Sequence, residues 1–347
     1  MKIVAVSSNF CVRATQSCLA AKAVGHQVFL LVQPDAGRRQ LNQHFDGISL
    51  FNTEAQLDAL LRELKPDLIH VHDRPHAIPV LAMKHANGVP VVHDVHDMFS
   101  RMVPGGQAPE DSPYEKASIL GAQGLVFVSQ PNLDYAAAKY GVLPPAVVVR
   151  SAVYSTLFPV VRLPRLAGAV WGGGIYLEPP QSPRFYIDQR EIARRFIGVG
   201  IPASFHYPPT DPPILAAYAD TGAVLCGERA YIPLLQEFGR YDFGWYGQVC
   251  DHPQIHDTLP NKMFEYIAAG LPVVAINARE AGKYLTEHGL GIHIRRPEDV
   301  VYHLDELRQM RQDVWERRWA FTRERECEAL WPLYEKLTGK PGKPNVK

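Results

Sequence analysis

A chain of 347 residues with 46% hydrophobic and 21% charged residues is long enough for two ordinary domains and too apolar to be a disordered chain. Its 36 basic and 36 acidic side chains cancel, and neither half stands out as basic, which disfavours nucleic acid as the main partner. No apolar run reaches the roughly 18–20 residues of a membrane span, MKIVAVSSNF is too short a stretch for a signal peptide, and five scattered cysteines (Cys11, Cys18, Cys226, Cys250, Cys327) without a CxxC pair read as free thiols in a reducing cytosol.

The first half alternates strand and helix patterns. KIVAVSS reads as a buried strand, RATQSCLAAKAVG as a helix stopped by Gly25, and HQVFLLVQ as the next strand. TEAQLDALLRELK places Leu57, Leu60, Leu61 and Leu64 at helical spacing and stops before Pro66. DLIHVHD, VPVVHDVHD, LVFVSQ and AVVVRS follow as strands, separated by the helices PHAIPVLAMKHAN, PYEKASILGAQG and NLDYAAAKYG. Continuous apolar strands alternating with amphipathic helices predict parallel sheets covered on both faces. A proline-marked stretch at 151–169 breaks the rhythm. A second series follows: strand AGAVWGGG, helix QREIARRFIGVG, strand ASFHYP, helix YIPLLQEFGRY, strand DFGWYG, a helix over 260–269, and strand PVVAIN. Helix AREAGKYLTEHG, strand LGIHIR, helix PEDVVYHLDELRQMRQ and a long aromatic- and arginine-rich helical segment complete it. The fold class is α/β, with two Rossmann-like domains facing a central cleft. Their expected limits are 1–160 and 161–315, followed by a helix over 316–338 packing back on the first domain and a flexible tail over 339–347.

Open α/β sheets bind ligands beyond the carboxyl ends of their strands. The loop after the first strand, SSNFCVRA, holds no GxGxxG, and the chain has no GxxxxGK[ST], HExxH or paired-cysteine zinc pattern. Two His/Asp clusters end strands: His70, His72, Asp73 and His76, then His93, Asp94, His96 and Asp97. Residues two apart share a face of a strand, so His70 and His72 point the same way. Metal ligation, loop-organising hydrogen bonds and substrate contact are the three readings of these clusters. His96 and Asp97 fall latest along their strand and are the better cleft candidates; His72 and Asp73 end the preceding strand. In the second half, Gly173 and Gly174 belong to a glycine run at 172–174 that suits close approach of a phosphate or, equally, a plain tight turn.

The segment HDTLPNKMFEYIAAGLPVV, starting at His256, carries the most chemistry. Pro260 suits the first turn of a helix. The N–H groups of Asn261, Lys262 and Met263 then face outward, at a helix end that favours anions. Lys262 adds a mobile cation. Glu265 lies three residues on, on about the same face. A carboxylate there suits a ribose diol, whose two hydroxyls both donate to it. A surface pair Lys262–Glu265 with no ligand is the plain alternative.

LPNKMFEYIAAGLPVVAIN resembles the donor-site segment of GT-B glycosyltransferases of family four. GHQVFLLVQ, PDLIHVHD, VPVVHDVHDMFS and RYDFGWYG resemble other parts of that family, and the likeness spans most of residues 1–295. The resemblance implies a retaining transferase that moves a sugar from a nucleotide-sugar to a saccharide, lipid-linked or small-molecule acceptor. It implies no bound cofactor and no required metal. It places Glu265 on the ribose as the second acid of an E-x7-E pair, whose first acid here is Asp257, and His96 beside the transferred sugar. The donor-side set is then Gly173, Gly174, Asp257, Pro260, Asn261, Lys262, Met263 and Glu265; His96, Asp97 and Lys262 are the catalytic candidates, and His72 and Asp73 the acceptor-side ones. Many relatives clamp the diphosphate with an Arg/Lys pair after the first strand of the second domain. Here that stretch, WGGGIYLEPPQSPRFY, offers only Arg184, which leaves the charge to Lys262 and the backbone N–H groups of the glycine loop. A nucleotide-sugar 2-epimerase on the same fold, or a non-catalytic nucleotide- or glycan-binding relative, are the alternatives. The expected location is the cytoplasm, extending to peripheral contact at the inner face of a membrane.

Overall fold

The computed structural model describes residues 1–34, 44–102, 112–179, 182 and 184–343. The chain divides into two units: Met1–Tyr154 together with the chain from Arg323 onward, and Ser155–Thr322. The division falls within the proline-marked stretch and again inside the last helical segment.

The first unit holds a seven-stranded sheet in the order β3-β2-β1-β4-β5-β6-β7. Its strands are β1 (Lys2–Ser7), β2 (Gln27–Val32), β3 (Gly47–Leu50), β4 (Leu68–Asp73), β5 (Val91–Val95), β6 (Gly124–Phe127) and β7 (Ala146–Val148). The second unit holds a six-stranded sheet in the order β10-β9-β8-β11-β12-β13. These are β8 (Ala169–Gly172), β9 (Ala203–His206), β10 (Val224–Leu225), β11 (Phe243–Gly247), β12 (Val273–Ile276) and β13 (Gly291–Ile294). All strand pairs are parallel. Strand order therefore reverses between β1 and β4 in one unit and between β8 and β11 in the other, the points where open α/β sheets leave a crevice.

The two-residue period of a strand separates two cores. Ile3 and Ala5 of β1 pack in one cluster, with Leu68, Leu330, Trp331 and Leu333. Val4 and Val6 pack in the other, with Ile69, Val71, Leu57 and Leu61. The helix Glu54–Leu64 begins at a Thr53/Gln56 capping box and ends at Lys65 in the left-handed region, φ 48°, just before Pro66. In the second unit Trp171 of β8 and Trp245 of β11 meet Phe196 and Phe205.

Several elements lie outside the periodic reading. β3 and β10 are short edge strands of four and two residues. The helix Pro212–Ala219 opens on two prolines, which its first turn accepts because their missing N–H groups have no intrahelical partner to lose. PEDVVYHLDELRQMRQ is a 3-10 turn, Pro297–His303, before the α-helix Leu304–Arg317. The single helix expected over 316–338 is broken into Arg318–Ala320, Arg323–Glu326, Cys327–Ala329 and Leu330–Thr338. The break at Phe321–Thr322 coincides with the passage of the chain between units, where Arg323 N–H donates to Val153 O at 2.9 Å. The tail expected over 339–347 is in contact with the first unit up to Lys343. Lys340 Nζ donates to Asp67 at 2.5 Å, and the Gly342 carbonyl lies 2.8 Å from His26 Nε2. Residues 344–347 lie outside the described residues.

Candidate functional site

At the carboxyl ends of β1, β4 and β5, the first unit builds a polar centre inside an apolar shell. Arg13, in the first turns of the helix Val12–Ala23, is 4% exposed and Asp94 of β5 is 0% exposed. Arg13 Nε donates to Asp94 Oδ2 at 2.9 Å and Nη2 to Oδ1 at 2.8 Å. The remaining guanidinium donors go to Ser151 Oγ at 3.0 Å and the Val149 carbonyl at 2.8 Å. His72 Nδ1 lies 3.0 Å from Asp94 Oδ2, as the β4–β5 register His72↔Asp94 dictates. His70 and His72 do share a face: their rings are 3.9 Å apart between centroids, and His70 Nδ1 meets the buried Tyr334 hydroxyl at 2.6 Å. Burial acts to raise the Asp94 carboxyl, but the Arg13 guanidinium, helped by His72 and His96, outweighs it and holds the carboxyl well below the ordinary carboxylate range.

This geometry decides between the readings of the His/Asp clusters. His72 is 1% exposed and hydrogen-bonded to Asp94 within the sheet, an arrangement that organises the interior. Asp73 is likewise absorbed. Its Oδ2 accepts from Ser8 N–H at 2.7 Å across the β1–β4 switch point, and its Oδ1 accepts from Arg74 N–H at 2.8 Å and lies 3.0 Å from His76 Nε2. Burial acts to raise Asp73, but these partners outweigh it and its carboxyl sits lowered at about 2. Both acceptor-side candidates are thus engaged in hydrogen bonds within the first unit. His70, His72 and Asp94 also offer three ligand atoms within 4.8 Å of one another. The Arg13 guanidinium already saturates Asp94 and places a positive charge where an ion would sit, so these donors do not fit a cation.

His96 and Asp97 lie just beyond β5 and are half-buried, as the sequence placed them. His96 Nδ1 is 3.9 Å from Cys11 Sγ, and its Nε2 is 3.9 Å from Asp94 Oδ2. Burial pushes its imidazole down to about 3, so it is neutral around pH 7. Asp97 Oδ2 faces Arg74 Nε at 3.5 Å.

In the second unit, Lys262 and the glycine run meet at the carboxyl end of β8. The helix Asn261–Ala268 begins one residue later than expected. Pro260 is its N-cap, extended at φ −77° and ψ 156°, and no side chain caps the N–H groups of the first turn. The Met263 N–H is not available as expected, because it donates to the Pro260 carbonyl at 3.2 Å. Asn261 is exposed, and Lys262 and Glu265 are half-buried. The Lys262 ammonium lies over the Trp171 ring, 3.5 Å from its centroid, and 3.6 Å from the point a Cβ on Gly173 would occupy. Burial lowers the lysine to about 7, and the Glu265 charge opposes this only weakly.

The glycine run is a shaped turn more than an open cradle. Gly172 N–H donates to the Tyr266 hydroxyl at 2.8 Å and Gly173 N–H to the His206 carbonyl at 3.0 Å, so neither is left for a phosphate. Gly173, at φ 129°, occupies the left-handed side that favours glycine. The Gly174 carbonyl accepts from Trp171 Nε1 at 3.2 Å, and the Gly174 N–H has no acceptor among the described residues. Asp257 is buried at the end of the short helix Pro253–Asp257, with Oδ1 3.9 Å from Arg279 Nη2. Arg184, the cation nearest the glycine run in sequence, is 3.5 Å from Glu178 Oε1.

Sequence reasoning missed Arg13, Tyr334, Trp171 and Tyr266. The first was visible as an arginine in the first turn of a helix of mostly small residues, and the third as the tryptophan immediately before the glycines. Tyr334 and Tyr266 carry no local signal, because their partners His70 and Gly172 are distant in the chain.

Residues 14–153 match the family model described as Glycosyltransferase Family 4. No curated protein sequence matches the chain. Among solved structures, sucrose-phosphate synthase from Thermosynechococcus elongatus aligns at 14% identity, covering 98% of this chain and 100% of its own, with TM-score 0.68. Alr3699/HepE of Anabaena, solved in complex with UDP, aligns at 15% identity over 98% and 100% with TM-score 0.67. WaaG, a glycosyltransferase involved in lipopolysaccharide biosynthesis, aligns at 12% identity over 98% and 100% with TM-score 0.61. At these identities the likeness is one of fold, and that fold is the two-unit GT-B architecture.

Proposed function

We propose, from a chain of GT-B fold that carries a glycosyltransferase family 4 domain over residues 14–153, a glycosyltransferase that takes its sugar from a nucleotide-sugar donor. The observation that carries this reading is the meeting of three features at the carboxyl end of β8: the start of the helix Asn261–Ala268 without a side-chain cap, the Lys262 ammonium, and the turn at Gly173. A nucleoside diphosphate is the ligand such a place suits. Its phosphates take the helix dipole and the lysine, and its ribose takes Glu265. That HepE was solved with UDP on the same fold supports the choice of ligand class.

As the sugar bond breaks, negative charge grows on the leaving diphosphate. Groups already aimed there hold the transition state more strongly than the ground state. Lys262 and the Asn261 and Lys262 N–H groups are those groups in this chain, with Gly174 N–H a further donor. His96 acts as a neutral imidazole beside the sugar, hydrogen-bonding rather than attacking it. Asp97 and Asp257 are the remaining acids of the proposal, Asp257 at the first position of the acid pair. Retention of configuration, independence of metal, and an acceptor that is a saccharide, a lipid-linked glycan or a small molecule follow the family resemblance.

The test is a thermal-shift screen over nucleoside diphosphates and their sugars, followed by transfer assays with the sugar that binds. Glu265→Ala and Lys262→Ala are each expected to lower kcat/KM by about 100-fold or more. Wild-type transfer by both variants would refute the site.

A further inference from the structure

Trp171 does two jobs within one side chain. It is 4% exposed, held in the core against Trp245 with ring centroids 5.6 Å apart. Its edge donates through Nε1 to the Gly174 carbonyl at 3.2 Å, which ties down the turn after β8. Its face carries the Lys262 ammonium at 3.5 Å from the ring centroid. The negative face of an aromatic ring attracts a cation, and does so most when water is excluded. Lys262 therefore rests on a surface made by the strand and not by its own helix.

The surroundings leave the indole as the group that holds this cation. Among the described residues, the charged group that acts on Lys262 is Glu265 on its own helix. β8 contributes the Trp171 ring and the Gly173 backbone. β9 contributes His206, whose carbonyl is taken by Gly173 N–H and whose ring is turned onto Phe238 and Tyr241. The Tyr266 hydroxyl accepts from Gly172 N–H. Among the described residues no hydrogen bond or ion pair fixes the lysine, so its position depends on the ring beneath it.

We propose that Trp171 is a positioning residue of the donor site: its indole face holds Lys262 against the Gly173 turn, and its N–H fixes that turn, so that a diphosphate meets a preset cation. This rests on the reading of the second unit as a nucleotide-sugar site. It goes beyond that reading by naming the residue that holds the Lys262 cation in place. Because burial lowers Lys262 to about 7, an arriving diphosphate has to restore its proton above that pH. Through Lys262, affinity then falls above about pH 7 with a slope approaching one proton, over and above the ligand's own phosphate ionisation at about pH 6, which K262M retains.

Titration calorimetry of the full chain with UDP, GDP and ADP from about pH 6 to about pH 9 tests this. The expected result is that at least one diphosphate binds and weakens above about pH 7, a break that K262M removes. W171F keeps an aromatic face and loses only the N–H, and is expected to weaken binding about three-fold. W171L loses both and is expected to weaken it about thirty-fold. The gap between W171F and W171L should vanish in the K262M background, because the face acts through the lysine. A gap that persists without the lysine, or a W171L chain that binds like wild type, overturns the proposal. In the wild-type chain, whether or not W171L folds, the Trp171 indole N–H resonance should shift with a midpoint near pH 7. A resonance that is flat through that range also overturns it. Failure of every diphosphate to bind the wild-type chain would instead overturn the donor-site reading itself.

Discussion

Histidines set the pH range in which the first unit can stay folded. His93 is 0% exposed, and burial lowers its pKa from 6.5 to about 4. His70 and His72 are lowered for the same reason, and His96 is lowered to about 3. Unfolded, each binds a proton near pH 6.5 while the folded form stays neutral, so the unfolded chain holds more protons below that pH. Stability is therefore lost as pH falls from about 6.5 towards about 4, and His93 alone accounts for about 3 kcal/mol of it. Asp94 adds to this only at lower pH, since its folded value is depressed below the carboxylate range. Chemical denaturation across this range should show a steep loss between about pH 6.5 and 5. His93→Gln should flatten the slope by about one proton; an unchanged slope would show that His93 is not neutral in the fold. None of this was legible from HVHD and HDVHD as strings. Burial decides whether such a cluster is a site or an interior, and burial depends on Arg13 and Tyr334, which lie far away in the chain.

Two glycine positions govern how the β8 element ends. A Cβ on Gly172 would come within 2.2 Å of Phe238 Cζ, a ring that is itself 0% exposed. Gly172→Ala should cost about 1–3 kcal/mol, read as a lower melting temperature, and weaken diphosphate binding because Tyr266 and the turn shift together. An unaltered melt would mean that the ring yields freely. Element by element, the long periodic segments were the legible ones. Continuous Val/Ile/Leu runs read as buried parallel strands, and Gly25 and Pro66 marked true helix stops. Edge strands β3 and β10 escaped because half-exposed runs of four and two residues have no period to detect. The terminal helix was over-extended because a Trp/Arg-rich segment keeps helical spacing through a break that only the passage between units imposes. In the segment from His256, residue types and spacing singled out Lys262 and Glu265 as candidates. The partners of the glycine N–H groups, supplied by β9 and the helix, did not show in the string.

At the scale of the whole chain, the two units are not equivalent as folding units. The second is continuous, Ser155–Thr322, whereas the first is completed by a distant segment. Cys327, Leu330, Trp331, Leu333 and Tyr334 belong to the same core as Ile3, Ala5 and Val28. Arg323, 1% exposed, donates to Ser17 Oγ at 2.5 Å and to the Arg150 carbonyl, and the Arg150 N–H donates to Glu326 Oε2 at 3.0 Å. A chain ending at Thr322 should leave the first unit without cooperative unfolding, while a fragment of residues 155–322 should melt cooperatively on its own. Circular dichroism melts of both pieces check this, and a cooperative first unit in the truncated chain would contradict it.

The hydrogen bond from Arg323 N–H to Val153 O, 2.9 Å long, brings together the two places where the backbone leaves the first unit and returns to it. The second unit is in effect an insertion spliced into one point of a host fold. A recombination event at that single point exchanges the whole insert and leaves the host's interior uncut. Chimaeras joined at 154/155 and 322/323 thus exchange the second unit as a cassette, and the host's Arg13–Asp94 core stays intact through the graft.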